Sequence, residues 1–242
     1  MQNAPQTRRT PWFKGLLAGT LITGAAQAAE LPDPVPLHYL NIQTIQPQTR
    51  AAFVASMRNN ALQSRKEAAN IVFDVGDLGG NDPTLVLFES WRDRAGYLQH
   101  EGSAHVAPVI ALVPTGFARP ERKYLLQNVV DLPAPARKAI DQPSETRNVV
   151  ALVKIKAAQR QAFIDGVRPV IEQSRQAQGN LVFDVYQQHN DANTFVIYQR
   201  WTDAKAYQRQ RLTAYTNAFS AQLNTWVDGA PEVLDLKDRI EN

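Results

Sequence analysis

The chain repeats itself at an offset of 110 residues. Leu40–Ile110 lies over Val150–Ser220 without a gap, and 19 of the 71 aligned pairs are identical. The identities include Phe53 over Phe163, Gln63-Ser64-Arg65 over Gln173-Ser174-Arg175, and Val72-Phe73-Asp74-Val75 over Val182-Phe183-Asp184-Val185. Trp91, Asp93 and Tyr97 likewise match Trp201, Asp203 and Tyr207. Solenoid repeats run about 20–50 residues, whereas a copy of this length is the size of a small domain. The sequence therefore reads as two fused homologous domains, and a fused pair preserves the geometry of a two-fold dimer.

Each copy reads as β-α-β-β-α-β. In the second, Val149 to Ile155 is nearly continuous in apolar residues and reads as a strand buried on both faces. Ala157 to Ala177 carries Phe163, Val167, Val170 and Ile171 at helical spacing, with Pro169 predicting a kink or break. Leu181 to Tyr186 and Thr194 to Trp201 read as strands, joined through the polar stretch Gln187 to Asn193. The equivalent pair in the first copy is Ile71 to Val75 and Thr84 to Trp91. Asp93 and Asp203 are placed to cap the helices that follow, and Lys123 to Val130 and Glu232 to Leu236 close the two copies. Six elements in this order give an α+β, ferredoxin-like domain with helices on one face of a four-stranded antiparallel sheet. Val86, Phe88, Val196 and Tyr198 make the other face apolar as well. Its natural cover is the same face of the other copy, so the sheets are expected to pack face to face as an intramolecular dimeric barrel. The expected division is residues 37–131 and 147–237, joined by a proline-rich linker over 132–146.

Residues 1–29 stand apart. Arg8, Arg9 and Lys14 precede a short run of apolar and small residues, and Ala26-Gln27-Ala28 supplies a small-x-small site. This pattern predicts a secretory signal peptide and a periplasmic or secreted protein, with the paired arginines suggesting a twin-arginine route. The segment carries three cations and no acids, so of 26 basic and 23 acidic residues, 23 of each remain after its removal. A balanced mature chain has no concentrated basic surface for nucleic acid or for a membrane. The chain has no cysteine, which excludes disulfides, thiolate nucleophiles and cysteine-ligated metals.

The stretch Leu85-Val86-Leu87-Phe88-Glu89-Ser90-Trp91, followed by Tyr97, His100, Ser103 and His105, resembles the antibiotic biosynthesis monooxygenase domain. The resemblance covers both copies and extends to quinol monooxygenases of the dimeric α+β barrel superfamily. It implies a pocket between sheet and helices in each half and cofactor-free oxygenation of a small phenol or hydroquinone. The substrate is deprotonated there and its anion reacts with O₂ directly. Consistent with this, no glycine fingerprint for a flavin or nicotinamide and no phosphate loop is present. Haem-degrading relatives use a histidine ligand at a position that Ile110 and Ser220 occupy here, so haem is not expected. His100 and His105 lie about 140° apart around a helix, and they meet only if the helix breaks near Gly102. No metal site is expected.

The two copies diverge where chemistry would sit. His100 becomes Gln210, His105 becomes Tyr215, Glu89 becomes Gln199, Glu101 becomes Arg211, and Asn41 becomes Ala151. The expected catalytic residues are accordingly His100, His105 and Asn41, with Trp91, Glu89 and Tyr97 at the substrate. Histidine is the side chain best poised for proton transfer near neutral pH. Asp74 and Asp184 read as strand-end residues satisfying nearby backbone, and His38 and His189 as surface residues. Other functions open to the same fold are a non-catalytic small-molecule-binding or stress-related module and a proton-transfer isomerase.

Overall fold

The computed structural model describes residues 33–133 and 138–238. The signal-peptide reading therefore lies outside the described residues, as does part of the linker. No helix of the described residues is long and apolar enough to cross a membrane.

The first half runs β1 (Leu37–Thr44), α1 (Arg50–Ser64), β2 (Asn70–Asp77), β3 (Thr84–Trp91), α2 (Arg94–Glu101), α3 (Ala107–Gly116) and β4 (Arg122–Asn128). The second runs β5 (Arg147–Lys154), α4 (Arg160–Gln176), β6 (Asn180–Gln188), β7 (Asp191–Trp201), α5 (Ala204–Arg211), α6 (Ala214–Trp226) and β8 (Glu232–Asp238). Asp93 and Asp203 cap α2 and α5, each accepting from a backbone N–H at 2.8 Å. A bulge recurs in both halves, between Asn70 and Val72 and between Asn180 and Val182. In each, the asparagine amide donates to the carbonyl two residues on.

All strands join one closed barrel in the order β1-β3-β2-β8-β5-β7-β6-β4. Within each half the four strands are antiparallel, and two short ladders close the barrel between the halves. Gly76 and Asp77 pair with Asp238 and Lys237, and Leu126 to Asn128 pair with Gln188 to Tyr186. Closure removes the exposed edges that two separate sheets would leave. It also explains a departure from expectation. The polar residues Gln187 and Gln188 extend β6 instead of forming a long connection, because they have partners on β4.

Strand alternation divides the core into three. Leu37, Phe53, Phe73 and Trp91 pack between the first sheet and its helices. Phe163, Phe183, Phe195 and Trp201 do the same in the second half. Leu40, Val86, Phe88, Val150, Val196 and Tyr198 fill the barrel interior. Phe88 and Tyr198, which occupy equivalent positions, stack on each other at 4.2 Å between centroids. The equivalent pair Arg122 and Glu232 form an ion pair. Contacts of a residue with its own counterpart mark a two-fold relation between the halves.

Two local expectations change. Of the kink or break expected at Pro169, the break does not occur, since α4 runs through it. It lies on the exposed face, where water can satisfy the carbonyl its missing N–H leaves free. His38 is not a surface residue but is buried, 5% exposed, because its place on β1 faces the barrel interior. His189 is partly buried, with Nδ1 3.0 Å from Gln127 Oε1.

Candidate active site

Strand alternation sends Asn41, Glu89 and Trp91 to the helix side of the first sheet. Glu89 is buried; its Oε2 accepts from Trp91 Nε1 at 2.9 Å and its Oε1 from Asn41 Nδ2 at 3.1 Å. Burial raises its pKa, partly offset by Trp91, Lys123 and Asn41. Asn41 Oδ1 is buried without a hydrogen bond among the described residues. Next to this group, Tyr97 on α2 donates to Glu101 Oε1 at 2.6 Å and accepts from Lys123 Nζ at 2.7 Å. Lys123 also lies 4.5 Å from the centre of the Tyr39 ring. Burial, then the bond to Glu101, raises the pKa of the Tyr97 phenol.

His100 is in the last turn of α2, and its ring stacks on Trp91 at 4.3 Å. Its Nδ1 lies 3.0 Å from Glu67 Oε2 and 3.4 Å from Ser64 Oγ. Burial, with smaller contributions from His105 and Lys123, pushes its pKa down to about 4. The helix ends at Gly102, and the chain returns so that His105 Nε2 lies 3.4 Å from Glu67 Oε1 and 3.1 Å from Ser103 Oγ. Burial lowers the His105 pKa and raises that of Glu67. The break at Gly102 is thus what brings the two imidazoles to 5.6 Å between centroids.

The structure brings all six expected residues onto one side of one sheet. It joins Asn41, Glu89 and Trp91 directly, and links Trp91 through ring contacts to Tyr97 and His100. It also adds Glu67, which bridges the histidines, and Lys123, which bridges Tyr97 and the Glu89 region. Both were legible as divergences, since their counterparts are Ala177 and Val233. The connection between α1 and β2 that carries Glu67 gave no hint that it would reach α2.

Glu67, His100 and His105 offer three ligand atoms within 4.8 Å of one another. Two imidazoles and a carboxylate suit a divalent transition-metal ion, which holds such ligands at about 2.0–2.2 Å. The expectation of no metal overlooked this donor set because the carboxylate comes from a distant turn.

The second half rebuilds the same contacts with neutral groups. Trp201 Nε1 donates to Gln199 Oε1 at 3.0 Å, Gln210 Nε2 to Ser174 Oγ at 2.6 Å, and Tyr215 OH to Gln210 Oε1 at 2.6 Å. Residues 39–111 and 146–222 each match the family model of the antibiotic biosynthesis monooxygenase domain. The chain belongs to the antibiotic biosynthesis monooxygenase family. Among proteins of known sequence it is similar to "Putative monooxygenase YcnE" of Bacillus subtilis, 29% identical over 72 residues, or 30% of this chain and 76% of that protein. Among solved structures it is similar to a "putative monooxygenase" of Fusobacterium nucleatum. That match has a TM-score of 0.77 at 14% identity over 85% of this chain and 93% of the other. One from Lactobacillus acidophilus has a TM-score of 0.74 at 14% identity, over 85% and 94%. Those two share the fold over both halves of this chain.

Proposed function

We propose that this family member is a monooxygenase whose first half oxidises a small phenol or hydroquinone with O₂ and no organic cofactor. The observation that supports it most is the asymmetry: Glu67, His100, His105, Glu89 and Lys123 lie on the helix side of the first sheet, and Ala177, Gln210, Tyr215, Gln199 and Val233 take their places in the other half. His100 is uncharged at neutral pH and can accept a proton, while Glu67 holds its Nδ1 and Trp91 its ring plane. The hydroxyl proton of the substrate passes to the histidine pair, and the anion adds O₂ at a ring carbon. Loss of water from the resulting hydroperoxide leaves a quinone. The substrate supplies all four electrons that O₂ takes up, the histidine pair returns its proton to the peroxide before water is lost, and one oxygen atom goes to product and one to water. In this reading Asn41 Oδ1 and the Tyr97–Lys123 pair would orient the substrate oxygen.

Oxygen uptake by the purified chain, with a panel of reduced quinones and phenols, tests this. Turnover above the uncatalysed rate that survives a chelator supports the reading. No uptake across the panel removes it. Uptake abolished by the chelator and restored by one divalent metal transfers the chemistry to an ion at Glu67, His100 and His105, the second reading that the donor set favours. We also propose, from the N-terminal sequence, that the protein works outside the cytoplasm. Residues 1–29 fused to a reporter should deliver it to the periplasm, and retention in the cytoplasm would refute this.

A further inference from the structure

The two ends of the barrel interior are made of equivalent positions and are filled differently. At one end Arg200 reaches in from β7, its side chain 6% exposed. Its Nη1 lies 2.8 Å from Asp74 Oδ1 and its Nη2 2.7 Å from Asp238 Oδ2, while Nε donates to Asn148 Oδ1 at 3.2 Å. Tyr198 OH donates to Asp74 Oδ2 at 2.7 Å. The space left is about 10 Å³, no more than the ~10–15 Å³ one water needs.

At the other end the positions 110 residues away hold Ser90 for Arg200, Asp184 for Asp74, Asn128 for Asp238, and His38 for Asn148. Serine ends where the guanidinium would begin. Asp184 pairs instead with Arg175 of α4, and Phe88, the counterpart of Tyr198, has no hydroxyl to offer it. What remains is a cavity of about 480 Å³ that runs inward to Tyr198 and Arg200. This volume falls within the ~300–1,000 Å³ of small-molecule sites.

We propose that this cavity is a second ligand site, which binds a neutral aromatic molecule of two or three fused rings bearing a hydroxyl group. Part of the wall is apolar and aromatic, with Val72, Phe88, Val182 and Tyr186 in it, and the rest is polar. The charged groups around it cancel: Lys138, Arg175 and Arg200 against Asp74, Asp131 and Asp184. A net charge on the ligand would therefore go unbalanced. One imidazole nitrogen is poorly satisfied: His38 is 5% exposed, its Nδ1 lies 2.6 Å from Ser90 Oγ, and its Nε2 has no partner at full hydrogen-bond geometry among the described residues, although the Asn128 side chain interacts with the ring. The ring packs against Tyr186 at 4.7 Å, beside the space a flat ligand would enter. A hydroxyl both donates and accepts, so it satisfies Nε2 in either tautomer, and leaving such a group unpaired is costly. The site lies on the opposite face of the sheet from His100 and does not depend on the proposed oxygenation.

Titration of the full chain with 1-naphthol, followed by calorimetry and with naphthalene as the control lacking the hydroxyl, tests the inference. Saturable binding of 1-naphthol is expected. His38→Leu should weaken 1-naphthol about tenfold and leave naphthalene unchanged, the effect of one hydrogen bond. Ser90→Arg with Asn128→Asp copies the filled end into the open one and should abolish binding of both. Val182→Trp, which fills the cavity without charge, decides the matter if that double variant does not fold. His100→Gln should leave binding intact. No saturable binding to the unaltered chain, binding that survives filling of the cavity, or loss of binding in His100→Gln would each overturn the proposal.

Discussion

On the helix side of the first sheet, a tryptophan is held by a carboxylate and covered by an imidazole; on the helix side of the second, the matching tryptophan is held by a carboxamide and has a glutamine at the equivalent helix position. Trp91 bonds Glu89 as Trp201 bonds Gln199. Ser64 lies 3.4 Å from His100 Nδ1, and Ser174 accepts from Gln210. The hydrogen-bond plan is therefore common to both halves and belongs to the architecture. Only the capacity to carry charge and move protons differs, and it is concentrated in the first half. A fused pair can do this because its two copies drift independently, whereas a homodimer imposes every substitution twice.

The largest expected effect exchanges the two sets. His100→Gln with His105→Tyr gives the first half the second half's residues, and the Gln–Ser and Tyr–Gln bonds of the second half show that such a set can be satisfied. Oxygen uptake should fall by ~10²–10⁴-fold, the usual contribution of a general base, with little change in melting temperature. Gln210→Ala should leave uptake unchanged. Equal losses from the two halves would break the comparison.

The next effect concerns the barrel ends. Arg200→Ala leaves Asp74 and Asp238 without the guanidinium they share in the interior, a change that costs about 3–5 kcal/mol. For a domain of this size that lowers the melting temperature by about 10 °C. Ser90→Ala at the open end should cost only about 1 kcal/mol. Similar losses at both ends, measured by thermal unfolding, would show that the ends do not differ as described.

A smaller effect tests a contact the halves solve in opposite ways. A Cβ added to Gly96 would lie 2.2 Å from Ala69 Cβ, and one added to Gly179 would lie 2.5 Å from Ala206 Cβ. Positions 69 and 179 are equivalent, as are 96 and 206, so each half has room for one methyl group and places it on the opposite partner. Gly179 also has φ +81, where a side chain is strained. Gly96→Ala should cost about 1–3 kcal/mol by overpacking, read from the denaturation midpoint, and Ala69→Gly in the same chain should recover most of it. No recovery would mean the strain lies elsewhere.

The smallest expected effect is in pH dependence. Burial holds the His38 pKa down to about 4, with Asn128 opposing it weakly. The unfolded chain, whose histidine titrates near 6.5, takes up a proton first as pH falls. Stability from this group is thus full above about pH 6.5 and is lost progressively toward pH 4. His100 is lowered similarly and adds to the same window. His38→Asn, which installs the residue of the filled end, should flatten the melting-temperature profile between those limits without abolishing the slope. An unchanged profile would contradict the burial.

Much of the fold was legible because it is written twice. The repeat, the apolar strands and the capping aspartates Asp93 and Asp203 are local or periodic signals. Part of the candidate site was legible by the same device, since His100, His105 and Glu89 stand out against Gln210, Tyr215 and Gln199. Glu67 was not, because its role depends on where the turn before β2 meets the end of α2. His38 was misjudged as a surface residue because the strand read over Val149 to Ile155 leaves out its counterpart Asn148, whereas β1 and β5 begin earlier, at Leu37 and Arg147. Asp74 and Asp184 were read as bonding to nearby backbone, whereas their ion-pair partners are Arg200, 126 positions on, and Arg175 on a packed helix.

By itself the sequence determined that two copies of one β-α-β-β-α-β domain share the chain, that each sheet has two faces to bury, and that one copy keeps the titratable groups. These follow from periodicity, hydrophobic pattern and the comparison of each residue with its counterpart. Only the tertiary structure decided which strands pair between the halves to close the barrel, that a carboxylate joins the two histidines, and that one barrel end is filled by an arginine while the other is left open. Those outcomes depend on which side chains meet across long stretches of chain, and hydrogen-bond partners, ion pairs and empty volume are properties of pairs and groups that no linear pattern encodes.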